Sequence, residues 1–303
     1  MTSRMRAYLA PEGFVDDLIA ELGDAVTAVQ DRLVIAEHGG PDHAIWAENV
    51  WLDPRFISIT SIGDAAKQLR AIQRNWACLS QGHHRRARLI EEKLPHVSAK
   101  PLVFGAPVPS AALGSWTLLR DDLMLASPAC SSPMPNGVWQ FVEDKETPPN
   151  RAYLKLWEAL SRLPKKPQAG ETCLDLGACP GGWTWVLQTL GAKVISVDKA
   201  PLAPHIAALP NISYVQQSAF GLAPTDVGPV DWLFSDIICY PERLLRLVHN
   251  WRDAGLAKNM VCTIKFQGET DFSAIRQFLD ISGSFAMHLY NNKHEITWVY
   301  LEP

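Results

Sequence analysis

The sequence predicts an α/β protein: a doubly wound, mostly parallel sheet in the C-terminal half, preceded by a smaller α+β domain. Three observations carry this. Cys173 to Trp183, CLDLGACPGGW, is an apolar strand running into a glycine-rich turn and then a helix. About twenty residues on, Val194 to Ala200, VISVDKA, is a second apolar strand, ending in Asp198. From residue 172 onward strands alternate with helical stretches, the rhythm of βαβ units.

Taken in order, MRAYLA (Met5 to Ala10) reads as a short strand, and Glu12 to Leu22 as a helix burying Phe14, Leu18, Ile19 and Leu22. Leu33 to Glu37 is another strand, and the order suggests a ferredoxin-like arrangement. Residues 64–80 read as one amphipathic helix, with Leu69, Ile72, Trp76 and Leu79 on one face and Lys67, Arg70 and Arg74 almost opposite. His83 to Arg88, HHRRAR, follows directly. Stretches rich in Pro and Ser (101–115 and 127–137) lead to Thr147-Pro148-Pro149, a linker that divides the chain into domains 1–148 and 149–303.

In the second domain, 172–177, 193–198, 212–217, 230–236 and 260–265 read as strands, and 182–190 and 241–257 as helices. The last two apolar runs, 285–290 and 295–301, are separated only by Asn291-Asn292-Lys293-His294. So short a connection cannot cross over to a parallel neighbour, so this pair is an antiparallel hairpin.

Composition sets the outer limits. With 303 residues, the length favours about two domains. The chain is 47% hydrophobic and 20% charged, ordinary for a globular protein with a large core. A net charge of −4 argues against a uniformly basic coat but leaves room for a local basic face. No apolar run is long enough to span a bilayer, and MTSRMRAYLAPEGF lacks the apolar core of a secretion signal. The six cysteines form no C-x-x-C pair, which argues against a zinc site or a disulfide framework and for a reducing, cytoplasmic setting.

The glycine-rich turn implies a nucleotide-type cofactor at the C-terminal edge of the sheet. Gly177, Gly181 and Gly182 remove side chains where backbone turns sharply and approaches a ligand, and the helix that follows aims its first N–H groups there. Asp198 stands where an acidic residue accepts hydrogen bonds from a ribose diol. A dinucleotide fingerprint needs glycine at position 179, where this chain has Cys179, and Pro180 removes one more N–H donor. The turn therefore suits a cofactor without a pyrophosphate.

Four further residues point to a reaction. Lys155 lies in a helix, RAYLKLWEAL, just before the glycine-rich strand. Asp236 and Lys265 end the strands DWLFSD and MVCTIK, and Glu295 opens EITWVYLE. The C-terminal ends of parallel strands open toward the ligand crevice, and an antiparallel last strand brings its N-terminal end to that same edge.

With these residues in view, the chain resembles the FtsJ-like ribose 2′-O-methyltransferases, on DLGACPGGW, the upstream YLKL helix, the strand-end Ser235-Asp236, Lys265, and HEITWV. Within that family it is similar to the RlmM type, which methylates a cytidine of bacterial 23S ribosomal RNA. The resemblance runs from about Pro148 to the C-terminus, and the upstream part is too short for the full RNA-binding extension of that type. It implies a Rossmann-like class I methyltransferase domain with a seven-stranded, mostly parallel sheet. It also implies S-adenosylmethionine as cofactor, large-subunit ribosomal RNA as partner, and an RNA-positioning N-terminal domain. The family's Lys-Asp-Lys-Glu tetrad falls on Lys155, Asp236, Lys265 and Glu295, with Lys265 as base and Asp236 as its positioner. The cofactor then falls to Gly177, Ala178, Cys179, Pro180, Gly181, Gly182, Trp183, Asp198 and Asp236, with Ser218 beside the adenine where relatives carry an aspartate.

The residue types suit that chemistry. A ribose hydroxyl is a poor nucleophile at neutral pH, so a base must take its proton as it attacks; a lysine serves when burial or a second ammonium makes its neutral form accessible. Each residue alone has a plainer reading, Lys155 as a solvated helix lysine and Glu295 as an edge-strand charge. Lys67, Arg70, Arg74, Arg85, Arg86 and Arg88 form a candidate phosphate-contacting face, or simply a solvated one. Two other functions compete: a nicotinamide-dependent oxidoreductase on a similar sheet, and a non-catalytic RNA-binding or assembly factor that kept the fold.

Overall fold

A computed structural model of the chain describes residues 5–37 and 40–303; residues 1–4, which open the segment read for a secretion signal, lie outside the described residues. The chain divides into two compact units, Met1–Phe141 and Val142–Pro303, so Thr147-Pro148-Pro149 lies within the second.

The first unit runs β1 (Arg6–Leu9), α1 (Val15–Leu22), β2 (Val26–Gln30), β3 (Leu33–Ala36), β4 (Asn49–Trp51), β5 (Arg55–Ser58), α2 (Ile62–Ile72), β6 (Trp76–Cys78), α3 (His84–Glu91), β7 (Gly114–Arg120) and β8 (Leu123–Ser127). It holds two four-stranded sheets, ordered β2-β3-β1-β4 and β5-β8-β7-β6. The opening β1-α1-β2-β3 run matches the first half of a ferredoxin-like unit, but no helix occurs among the described residues between β3 and β4. Glu21 on α1 instead accepts the backbone N–H groups of Ile45 (2.7 Å) and Trp46 (2.9 Å), fixing that loop through side-chain hydrogen bonds.

The helix expected over 64–80 is two elements. Ser61 caps α2 by accepting the Asp64 N–H, and the helix stops after Ile72, where Gln73 turns extended. Trp76 opens β6, which pairs in parallel with β7. Trp76 still shares a core with Leu69, and its indole N–H donates to the Leu69 carbonyl at 3.0 Å. Leu79 packs in a different cluster, with Trp51 and Leu125. Burial therefore recurs at Leu69, Trp76 and Leu79 but not at Ile72, which is exposed at the end of α2, and sheet pairing overrides the helix.

The second unit contains α4 (Tyr153–Arg162), β9 (Thr172–Leu176), α5 (Gly182–Thr189), β10 (Lys193–Asp198), α6 (Pro204–Ala207), β11 (Ile212–Gln216), α7 (Pro224–Val227), β12 (Val230–Ser235), α8 (Pro241–Asp253), β13 (Ala257–Lys265), α9 (Phe272–Leu279), β14 (Ser284–Met287) and β15 (Glu295–Leu301). Its seven strands are ordered β11-β10-β9-β12-β13-β15-β14. The first five strands in that order pair in parallel, and β15 is antiparallel to both β13 and β14, closing the sheet with the expected hairpin. Lys265 and Glu295 are direct partners in the β13–β15 register. α8 ends at Asp253, short of the expected 257, because Gly255 takes φ +65° and turns the chain into β13. The order reverses between β10 and β12, on either side of β9, and ligand crevices of open α/β sheets lie at such a switch point.

Candidate active site

The glycine-rich turn leaves β9 at this switch point. Gly177 has φ +79°, and a Cβ there would sit 2.5 Å from Cγ1 of Ile237 on the loop after β12. Only glycine lets these two loops approach so closely. A Cβ on Gly182 would lie 2.3 Å from Oδ1 of Asn150, which also accepts the Ala152 N–H ahead of α4. The turn is thus held between the β12 loop and the start of α4.

A cleft of about 360 Å³ opens beside it, lined by Gly177, Ala178, Cys179, Gly182, Trp183, Asp198, Asp236 and Lys265 among others. Trp183 is buried, with its indole N–H donating to the Ala152 carbonyl at 2.9 Å. Asp198 accepts the Cys179 and Ala200 N–H groups, each at 3.0 Å and each on a different oxygen. This fixes the carboxylate and leaves lone pairs for a diol.

Three expected cofactor residues do not line this cleft: Pro180, Gly181 and Ser218. Pro180 accepts the Ala203 N–H through its carbonyl, and Gly181, at φ +115°, packs its backbone on Ile206, so both shape the turn from behind. Ser218 is taken up by the 3-10 turn it leads into, its carbonyl accepting the Gly221 N–H. Conversely, Asn150, Asp175 and Ile238 line the cleft although the sequence reading did not single them out. The signal for Asp175 was present, an acidic residue inside an apolar strand just before the glycines. Asp175 is fully buried, accepts the Thr184 hydroxyl at 2.6 Å, and is pushed up to about 7 by burial together with the nearby Asp236 and Asp198 charges.

The four charged residues read from distant parts of the sequence meet at one end of the cleft. Lys155 Nζ donates to both Asp236 oxygens at 2.8 Å and to Glu295 Oε1 at 3.0 Å. Lys265 Nζ lies 3.0 Å from Asp236 Oδ1 and donates to the Asp236 carbonyl at 2.7 Å. α4 delivers Lys155; the ends of β12 and β13 and the start of β15 deliver the rest. Burial would push the Asp236 carboxyl up, but the Lys155 and Lys265 ammoniums outweigh it and hold Asp236 below the usual carboxylate range. Burial likewise disfavours the Lys155 cation, yet Asp236 and Glu295 prevail and raise it. Lys155 is therefore a fixed cation, whereas Lys265 faces the cleft.

The candidate RNA-contacting residues are in the first unit. Lys67 and Arg70 are exposed on α2, Arg74 just beyond its end, and Arg85 and Arg88 on α3; Arg86 is half-buried. Arg70 donates to the Lys93 carbonyl, and Arg88 pairs with Glu92 at 3.6 Å.

Sheet order, switch-point cleft and glycine-rich turn together define a Rossmann-like α/β domain of the methyltransferase class. Residues 148–295 match the model of the FtsJ-like methyltransferases. The chain is similar to ribosomal RNA large subunit methyltransferase M of Halorhodospira halophila, 36% identical over 157 residues, covering 49% of this chain and 46% of that protein. It is also similar to the protein of that name from Xanthomonas oryzae pv. oryzae, 29% identical over 251 residues, covering 77% and 68%. Among solved structures, TrmN from Thermus thermophilus aligns over 99% of both chains at 15% identity with a TM-score of 0.39. In the Halorhodospira and Aromatoleum aromaticum alignments the chain spans about half of the relative's length, 46% and 44%.

Proposed function

We propose that this chain is an S-adenosylmethionine-dependent RNA ribose 2′-O-methyltransferase acting on 23S ribosomal RNA. One observation carries the reading: Lys155, Asp236, Lys265 and Glu295 form a single ion network at the mouth of the cleft made by the glycine-rich turn. Gly177, Ala178, Cys179 and Gly182 would hold the cofactor, Asp198 its ribose, and Asp175 and Asn150 the walls nearest the turn. When bound, S-adenosylmethionine supplies a methyl group on a sulfonium, an electrophile that needs no further activation.

The work left to the protein is deprotonation and alignment. Lys265 Nζ takes the proton of the ribose 2′-hydroxyl as that oxygen attacks. Asp236 orients Lys265 through both its carboxylate and its backbone carbonyl. Lys155 pairs with both Asp236 and Glu295 and offsets their charge beside Lys265. General-base catalysis contributes about 10²–10⁴-fold, and alignment of oxygen, methyl carbon and sulfur supplies much of the rest. The first unit, on this reading, positions the RNA, and its exposed α2 and α3 basic residues contact phosphates.

Ribose methylation mapped across ribosomal RNA from cells with and without the gene tests the assignment. The reading expects one 2′-O-methyl mark on 23S RNA to disappear on deletion and return with the wild-type gene. An unchanged map would remove the ribosomal assignment.

A further inference from the structure

A second feature of the methyltransferase unit lies just beyond the tetrad. The loop after Asp236 exposes two apolar side chains, Ile238 (80% exposed) and Tyr240 (62%), and Ile238 lines the cleft itself. α8 begins at Pro241 and carries Arg243 and Arg246, one turn apart and both exposed. Among the described residues the one ion pair on α8 is Arg252–Asp253, so neither guanidinium is neutralised by a carboxylate, although Glu242 stands in the same turn. The guanidinium carbon of Arg243 lies over the Phe220 ring, 3.8 Å from its centroid, a cation–π contact that holds the side chain in place. A groove of about 360 Å³ is lined by Phe220, Leu222, Arg243, Arg246 and His249 among others. Arg243 stands in the first turn of α8, which follows the Asp236–Tyr240 loop directly.

Resting on the RNA methyltransferase reading above, we propose that this rim and groove hold the single-stranded RNA next to the target nucleotide. A neighbouring base stacks on Tyr240 against Ile238, and consecutive phosphates lie on Arg243 and Arg246. A polyanion with accessible aromatic faces is the partner whose chemistry matches two unpaired guanidiniums beside an exposed ring. One loop links the two: Ile238 lines the cleft, and Tyr240 leads directly into α8 and Arg243.

The test uses the full chain and a short fluorescein-labelled oligouridylate, with binding followed by fluorescence anisotropy across a salt series. Each single-strand phosphate contact adds about 0.7 to the slope of log affinity against log salt, so Arg243→Gln/Arg246→Gln lowers the slope by about 1.4. Tyr240→Ala weakens binding roughly tenfold with little change in slope. Arg246→Gln alone, at an exposed side chain, lowers the slope by about 0.7 and guards against loss of fold. Calorimetry with S-adenosylhomocysteine remains at the wild-type value throughout. Variants that bind the oligonucleotide with wild-type affinity and slope overturn this inference and leave the methyltransferase reading standing. A wild-type chain that binds S-adenosylhomocysteine but no RNA overturns the RNA reading, and this inference with it.

Discussion

Lys155 Nζ sits 2.8 Å from both carboxylate oxygens of Asp236, a residue eighty-one positions away in the chain. The same ammonium reaches Glu295, and the side chains of all three are at most 17% exposed. A cation placed so is the keystone of a buried charge cluster, and its removal strands Glu295 and leaves Asp236 with Lys265 alone.

Lys155→Met therefore destabilises the protein by about 3–5 kcal/mol, the usual cost of breaking a buried pair by deleting one partner. Lys155→Met/Glu295→Met recovers part of that loss, because the stranded Glu295 charge is gone. Urea denaturation of the three proteins measures both effects; a single variant within experimental error of wild type contradicts the buried network.

Gly177→Ala places a methyl group 2.5 Å from Ile237 Cγ1 at a backbone φ of +79°. Strain of this kind costs about 1–3 kcal/mol, and relief would require the β12 loop to move away from the cleft. The expected result is a lower thermal midpoint and at least tenfold weaker S-adenosylhomocysteine binding by calorimetry. Ile237→Ala in the same background restores part of each.

Asp175 gives the protein a pH dependence whose sign is fixed. Burial raises its carboxyl to about 7 in the folded chain. In the unfolded chain it titrates at about 3.9, so between these values the folded state binds one more proton. Its contribution to stability is full below the unfolded value and is lost as pH rises through the folded one. Asp175→Asn should flatten this decline, seen as a smaller difference in unfolding free energy between about pH 5 and about pH 8 than in wild type. An equal difference in the two proteins would place the titration elsewhere.

The second domain was legible because its signals are local and agree with one another. An apolar strand, three glycines and a strand-end acid lie within some thirty residues and point to one geometry. The convergence of Asp236, Lys265 and Glu295 followed from topology alone, since strand ends and the antiparallel last strand share an edge. Lys155 did not: its helix places it there only through packing that no periodicity records. Ser218 precedes a 3-10 turn over Ala219–Gly221, a feature with no periodic signal in the sequence. The first unit was less readable. Its short strands sit in segments whose spacing imitates a helix, and Trp76 shows the result, buried beside Leu69 but through a sheet.

The most direct test combines purified protein, labelled S-adenosylmethionine and 23S RNA from cells lacking the gene, with the product hydrolysed in alkali. The account predicts label in alkali-resistant dinucleotides, the signature of a blocked 2′-oxygen. It further predicts no transfer by Lys265→Ala, which still binds S-adenosylhomocysteine as wild type does. Label recovered on a base, or undiminished transfer by Lys265→Ala, would contradict it.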